Sequence, residues 1–317
     1  MNIVVTGGAG FVGSHLCDRL ITERHTVICV DNLLTGSKKN IDHLLSHPNF
    51  SFLHHDVIQP LPTTIHPDAI FHLASPASPN HHSALSYHAL PMETMMVNTQ
   101  GTHELLKTAE KHKSKFLFAS TSEIYGDPLE HPQTEEYRGN CSPTGPRSVY
   151  DEAKRFGETL TAYYQRERKV DTRIARIFNT YGPRMLKADM RMIVIFITQA
   201  LENRPITIFG DGMQTRSLCY VDDTVEGLLR LMTYPATSGE IVNIGSPQEH
   251  TVLEYATMIK QITQSKSDII LSEKLPEDDP KRRRPDIGKA KIVLSWEPKI
   301  SLKNGLSKIV TYFKSSV

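Results

Sequence analysis

The stretch Thr6-Gly7-Gly8-Ala9-Gly10-Phe11-Val12-Gly13 decides how the rest of the chain is read. Before it, Ile3 to Val5 is a short apolar run of strand type. After it, Val12, Leu16 and Leu20 recur at i+4, the spacing of one helix face. Gly7 permits the tight turn, Gly10 lets a phosphate approach the backbone, and Gly13 lets the helix lie close to the sheet. The helix N-terminus then offers free N–H groups and partial positive charge to a pyrophosphate. A glycine triplet alone marks an ordinary turn more often than a nucleotide site. Here the flanking elements fit, and Asp31 closes the next strand, Thr26 to Val30. A carboxylate there accepts hydrogen bonds from adenosine ribose hydroxyls and repels a 2′-phosphate, which favours NAD over NADP.

Outward from this unit the alternation continues. Ala69 to Leu73, Lys115 to Ala119 and Thr172 to Ile177 read as strands. Leu105, Leu106 and Ala109 mark one helix, and Tyr150 to Arg168 a longer one. Alternating strands and helices predict an α/β fold with a Rossmann-type, doubly wound parallel sheet. After Asn179 the texture changes. Turn signals such as Gly210-Asp211-Gly212 and the charge-dense stretch from Pro276 to Pro285 break short helices and strands. The expected division is residues 1–180 as an NAD-binding Rossmann domain and 181–317 as a smaller C-terminal α/β lobe that binds substrate. Segments after Val221 are expected to return to the first domain.

A length of 317 residues suits two such units, and 39% apolar residues supply a normal core. Lysine plus arginine number 36 against 35 acids, a net charge of +1. That balance argues against a nucleic-acid coat or a polybasic membrane binder. The four cysteines, Cys17, Cys29, Cys141 and Cys219, form no CxxC and read as reduced thiols of a cytoplasmic protein. No basic n-region precedes the first apolar run, and the longest apolar stretch, near Met192 to Leu201, is too short for a membrane span.

Two further motifs carry chemistry. Tyr150 and Lys154 share one helix face, and of the eleven tyrosines only Tyr150 has a lysine at +4. A free phenol, with a pKa of about 10, is a poor base at neutral pH. A neighbouring ammonium and a nicotinamide cation favour its phenolate, which then removes a proton from a sugar hydroxyl as hydride leaves to NAD. Such a pair is cheap on a helix surface; its place after a dinucleotide-binding unit gives it weight. The strand from Lys115 ends in Ala119-Ser120-Thr121-Ser122-Glu123, at the carboxyl end where open α/β sheets hold ligands. Thr121 is placed to donate to a reacting oxygen, and Glu123 to carry a proton. The plain alternative is a polar strand end with its own turn hydrogen bonds.

These residues together resemble the extended short-chain dehydrogenase/reductases that modify nucleotide sugars. The closer resemblance is to the UDP-glucuronate decarboxylase (UDP-xylose synthase) branch, over nearly the whole chain. It rests on Thr6 to Leu16, on His72-Leu-Ala-Ser-Pro-Ala-Ser-Pro79, on Ser120 to Pro128, on Arg176 to Met185 and on Asp278 to Asp286. The resemblance implies a tightly bound NAD held by Gly7, Gly10, Phe11, Val12, Asp31, Asn32, Asp56, Val57, Leu73, Ala74, Ser75, Tyr150 and Lys154. It implies catalysis by Thr121, Glu123, Tyr150 and Lys154, with Glu123 moving the proton directly or through a water. It implies that Ser122, Asn179, Arg184, Arg191, Gly210, Arg216 and Arg283 meet UDP or the sugar acid. Arginine suits both groups because its planar fork makes paired hydrogen bonds. A solvated surface charge is the alternative for any single arginine. Lys281 to Arg284 also reads as a nucleic-acid patch, a reading weakened by Glu277, Asp278 and Asp279 beside it. No metal is implied.

Within the superfamily, dehydratases carry Asp-Glu after the threonine, and the aspartate serves the departing 6-hydroxyl. Ser122 stands there instead, and 4-epimerases usually place a small residue where Glu123 stands. The implied reaction oxidises C4 of UDP-glucuronate, loses CO2 from the resulting β-keto acid, protonates C5 and returns the hydride. A UDP-sugar 4-epimerase, another NAD-dependent nucleotide-sugar enzyme, and a non-catalytic sensor that keeps NAD structurally are the alternatives. A homodimer through helices around Thr99 to Lys111 and Tyr150 to Arg168 is implied as well. The segment between Pro79 and Asn98 is longer than usual for that branch and contains His81, His82, Tyr87 and His88. A histidine metal site there lacks an acid or cysteine to complete it, so exposed loop histidines are expected.

Overall fold

Strands whose residues are apolar on both faces must be covered on both faces, and this chain supplies them in parallel order. The computed structural model describes residues 1–275 and 280–315. Its main sheet comprises β1 (Asn2–Thr6), β2 (Thr26–Asp31), β3 (Phe50–His54), β4 (Ala69–His72), β5 (Lys115–Thr121), β6 (Thr172–Ile177) and β7 (Ile241–Ile244). The order is β7-β6-β5-β4-β1-β2-β3, with every neighbouring pair parallel. Chain direction across the sheet reverses between β1 and β4, which opens a crevice at their carboxyl ends. Ile3 and Val5 of β1 pack into one core cluster and Val4 into another, as period-2 alternation requires. β3 escaped the sequence reading because it is an edge strand with only Phe50 fully buried.

The helices that matter for the site are α1 (Phe11–Thr22), α2 (Pro91–Met96), α3 (Thr102–His112), α4 (Ser148–Arg168), α5 (Met192–Leu201) and α6 (Val221–Thr233). A turn of π-helix, Val97–Gly101, joins α2 to α3. α4 lies close on the sheet because Gly157 faces Phe118 of β5. A Cβ at Gly157 would stand 2.3 Å from the Phe118 ring. Arg176 of β6 grips both oxygens of Glu158 on α4 at 2.9 and 3.0 Å, and Ser120 of β5 donates to the same carboxylate at 2.6 Å. This network fixes the helix that carries Tyr150 over the end of the strand that carries Thr121.

α6 packs on α1, and β7 adds to the sheet beside β6, so residues after Val221 return to it. The rest of the second half builds small sheets of its own. Ile206–Ile208 pairs with Ile269–Leu271, and Thr215–Ser217 lies between Glu249–Thr251 and Arg282–Arg283. The last pairing sets Arg283 opposite Arg216. Pro276 and the acids Glu277, Asp278 and Asp279 lie outside the described residues. No helix among the described residues is long and apolar enough to cross a membrane.

Candidate active site

One cavity of about 660 Å³ runs from the glycine turn to the second half of the chain. At its first end Gly7 has φ +69°, and a Cβ there would stand 2.8 Å from the Ala74 backbone. A Cβ on Gly13 would stand 2.1 Å from the Gly7 carbonyl oxygen. Both positions therefore exclude a side chain, and α1 begins at the cavity wall. Asp31 is buried. Its two oxygens accept from the N–H groups of Ala9 (3.0 Å) and Leu33 (2.8 Å). Burial raises its pKa and these donors oppose the rise, so the carboxylate is oriented but keeps lone pairs for a ribose. Asn32 donates to Asp56 at 3.1 Å, tying two more wall residues together. Phe11, Val12, Val57, Leu73, Ala74 and Ser75 also line this end. The donor set and the closed glycine cradle fit an adenine dinucleotide.

The middle of the cavity holds Thr121, Tyr150 and Lys154. The Thr121 and Tyr150 hydroxyls are hydrogen-bonded to each other. Thr121 also caps the short helix Ser122–Tyr125 by accepting from the Glu123 N–H at 3.2 Å. Lys154 donates to the Ala119 carbonyl at 2.7 Å and sits 5.7 Å above the Tyr150 ring. Burial pulls the Lys154 ammonium down to about 7, with Glu158 opposing. Burial, then the charge of Glu123, push the Tyr150 phenol above its ordinary value, and the Thr121 bond only partly offsets them. The phenolate expected from the Tyr-Lys pair is thus not a property of the protein alone. It needs the added positive charge of a nicotinamide. His72 of β4 is held neutral: burial lowers it to about 3, and its Nδ1 is hydrogen-bonded to Thr6 Oγ1 of the adjoining strand β1 at 2.8 Å.

At the far end, Glu123 is clasped by Arg147 and Arg283. Burial would raise its pKa, but the two guanidiniums outweigh burial and hold it well below the usual carboxylate range. A carboxylate so held is no proton donor until one arginine is drawn away. Tyr87 stacks on Tyr150 with ring centroids 5.0 Å apart and planes 5° from parallel. Arg147 lies 5.9 Å over the Tyr87 ring. Sequence reasoning assigned no role to Arg147 or Tyr87. Arg147 sits three residues before Tyr150, a spacing that could have drawn attention, whereas Tyr87 carries no local signal. Asp151 is buried beside this clasp, with one oxygen unpartnered. Burial, then the charge of Glu123, raise it to about 8.

Asn179, Arg191, Arg216 and Ser122 line the same cavity as Thr121, Tyr150 and Lys154. Arg191 pairs with Asp189 at 2.6 Å. Gly210 does not itself line the cavity, but its neighbours Phe209 and Leu275 do. Arg283 reaches it through Glu123. Arg184 stands apart: it does not line the cavity and pairs with Asp18 of α1 at 2.7 Å.

Residues 3–245 match the NAD dependent epimerase/dehydratase family. The chain belongs to that family. It is 48% identical to UDP-glucuronic acid decarboxylase 1 of Xenopus tropicalis, over 99% of this chain and 72% of that protein. It is 50% identical to UDP-glucuronic acid decarboxylase 2 of Arabidopsis thaliana, over 100% of this chain and 69% of that one. Among solved structures, UDP-glucuronic acid 4-epimerase of Bacillus cereus, in complex with UDP-glucuronic acid and NAD, superposes with a TM-score of 0.86 at 30% identity, covering 100% of both chains. UDP-glucose 4-epimerase of Thermotoga maritima gives 0.89 at 32% identity, over 100% of this chain and 99% of that one. The family assignment agrees with the doubly wound sheet expected from the glycine stretch.

Proposed function

We propose that this protein is an NAD-dependent carboxy-lyase that converts UDP-glucuronate to UDP-xylose through a 4-keto intermediate. The observation that carries the reading is the clasp of Arg147, Glu123 and Arg283 beside the Thr121–Tyr150–Lys154 group. A redox centre for a sugar hydroxyl thus adjoins paired arginines suited to a carboxylate. Longer relatives, matched over nearly all of this chain at 48–50% identity, bear the decarboxylase name.

When bound, NAD accepts the C4 hydride and later returns it. Tyr150 takes the C4 hydroxyl proton, and Thr121 donates to the same oxygen, which becomes the acceptor for electrons released by the carboxylate. Lys154 would hold the nicotinamide ribose and, when protonated, adds positive charge beside the Tyr150 ring. The substrate carboxylate competes with Glu123 for Arg283 and Arg147. Each arginine drawn to the substrate removes a cause of Glu123's low pKa, so Glu123 becomes able to hold a proton and pass it to C5. Ser122 offers no acid for a departing 6-hydroxyl, which disfavours a dehydratase. Asn179, Arg191 and Arg216 face the nucleotide, while Arg184 is left to a structural pair with Asp18. Residues 1–180 act mainly as the NAD lobe and 181–317 as the lobe that chooses the sugar.

The likeness to 4-epimerases keeps one rival reading open to test. Incubation with a panel of UDP-sugars, read by mass spectrometry, yields loss of CO2 from UDP-glucuronate alone; a product of unchanged mass assigns an epimerase. A homodimer through the helices around Thr99 to Lys111 and Tyr150 to Arg168 is supported by exposed Phe156 and Tyr163 on α4. Four free cysteines, three of them buried, suit a cytoplasmic setting. Nothing in the balanced charge favours a nucleic-acid or membrane partner.

A further inference from the structure

At the rim of the cleft the fold brings together two imidazoles and one carboxylate that the sequence keeps far apart. His81 and His82 stand in the long segment after Pro79, and Glu273 follows His82 by 191 positions. The acid missing from the sequence around the histidines is supplied by the other half of the chain. The His82 Nε2 lies 3.2 Å and the His81 Nε2 4.0 Å from the same Glu273 oxygen. All three donor atoms lie within 4.8 Å of one another. A tetrahedral zinc site with bonds of about 2.0 Å separates its ligand atoms by about 3.3 Å. Small side-chain rotations therefore suffice to close the set around an ion. The plain alternative is an exposed histidine–glutamate hydrogen bond of little energetic worth. One such bond needs one imidazole, and here two converge on one oxygen. Elsewhere, His66 and His112 meet at 3.3 Å without an acid, and His43 meets Asp18 without a second imidazole.

We propose that His81, His82 and Glu273 bind one divalent cation of the zinc type, and that the bound ion clamps the rim of the cleft. Two nitrogen donors and one oxygen suit zinc and its neighbours in the transition series, not magnesium or calcium. The site joins two segments at the opening, one from each half of the chain. On one side Asn80 donates to the Met190 carbonyl at 2.7 Å and Ser83 to the Ala188 carbonyl at 2.6 Å. On the other, the Glu273 carbonyl accepts from the Gly210 N–H at 2.7 Å, and Leu275 covers Gly210. His81, Phe209 and Leu275 all line the cavity. An ion here ties the long segment to the Gly210 rim and slows entry and exit of the ligand. The clamp rests on the reading of the cleft as a nucleotide-sugar site; the ion site does not.

The test uses the full chain, stripped with a chelator and titrated with zinc chloride by calorimetry. One site per chain is expected, weakened by more than about tenfold in His82→Ala and in Glu273→Gln, a loss at least as large as that of an outer-shell group. His66→Ala serves as the control and retains it. Cobalt is expected to show tetrahedral visible absorption in the wild type and not in His82→Ala. Side chains about half exposed at all three positions make misfolding of these variants an unneeded worry. Zinc affinity unchanged in both variants, or absent in the wild type, overturns the site. Zinc that binds but leaves turnover of the wild type unchanged overturns the clamp. Slowed turnover, restored by chelator and missing in Glu273→Gln, supports it. The titration needs no sugar substrate, so failure of the decarboxylase reading leaves the ion result intact.

Discussion

At the cofactor end of the cleft, the groups that matter lie between positions 7 and 31. At the sugar end, Glu123 meets Arg147 24 residues away and Arg283 160 residues away. The first end is a local device: strand, glycine turn, helix, strand, acid. Its geometry is enforced by backbone crowding around Gly7 and Gly13. The second end is a charge balance among distant segments, and the protonation of Glu123 depends on both arginines. A change at the first end is expected to act through shape and a change at the second through electrostatics.

The largest effect lies where the ends meet. Tyr150→Phe removes the group proposed to take the C4 proton, and a turnover loss of about 10²–10⁴-fold is expected, with NAD still bound. Single-turnover assays with the cofactor content measured alongside check this. Next comes Arg283→Ala. It leaves Glu123 with Arg147 alone, so kcat on UDP-glucuronate falls and the Glu123 pKa rises towards its ordinary range. Breaking a hydrogen bond to a buried charged group costs about 1–3 kcal/mol, read as a lowered Tm. Glu123→Gln combined with Arg283→Met is expected to recover part of the stability but not turnover, because it removes one buried charge of each sign while Arg147 loses the Glu123 carboxylate. If the double variant regains both, the clasp is structural only.

At the cofactor end, Gly13→Ala drives a methyl group against the Gly7 carbonyl. Overpacking of this kind costs about 1–3 kcal/mol, and co-purified NAD is expected to be lost while the arginine clasp is untouched. The smallest effect is a pH slope. The buried Lys154 titrates near 7 in the ligand-free fold against 10.5 when free. Between those values the unfolded chain binds more protons, so stability rises with pH. Asp151, raised from 3.8 to about 8, has the opposite slope, which ends near pH 8. From pH 8 to 10 the ligand-free wild type is therefore expected to gain Tm relative to Lys154→Met.

The same contrast explains what could be read from the sequence. Gly7, Gly10, Gly13 and Asp31 announce themselves because local sterics demand small residues at fixed spacing. Tyr150 and Lys154 follow from helix periodicity. Glu123 was visible as a residue but not as a doubly paired anion, since nothing near it in sequence names Arg147 or Arg283 as partners. Tyr87 was hidden in the long segment, where no periodicity points it at Tyr150. Arg184 could be read for its phosphate-binding chemistry, but its pair with Asp18 could not, because Asp18 lies 166 positions away. The acid that joins His81 and His82 was invisible for the same reason as the clasp: it arrives by topology.

The central claim is a decarboxylation with internal return of the hydride, and one experiment in D2O addresses it. The purified protein is incubated with UDP-glucuronate, and the product is examined by mass spectrometry and NMR. The account predicts UDP-xylose lacking the carboxyl group, with one solvent deuterium at C5, none at C4, and no build-up of free NADH. A product of the substrate's mass, or loss of CO2 with deuterium at C4, would contradict it.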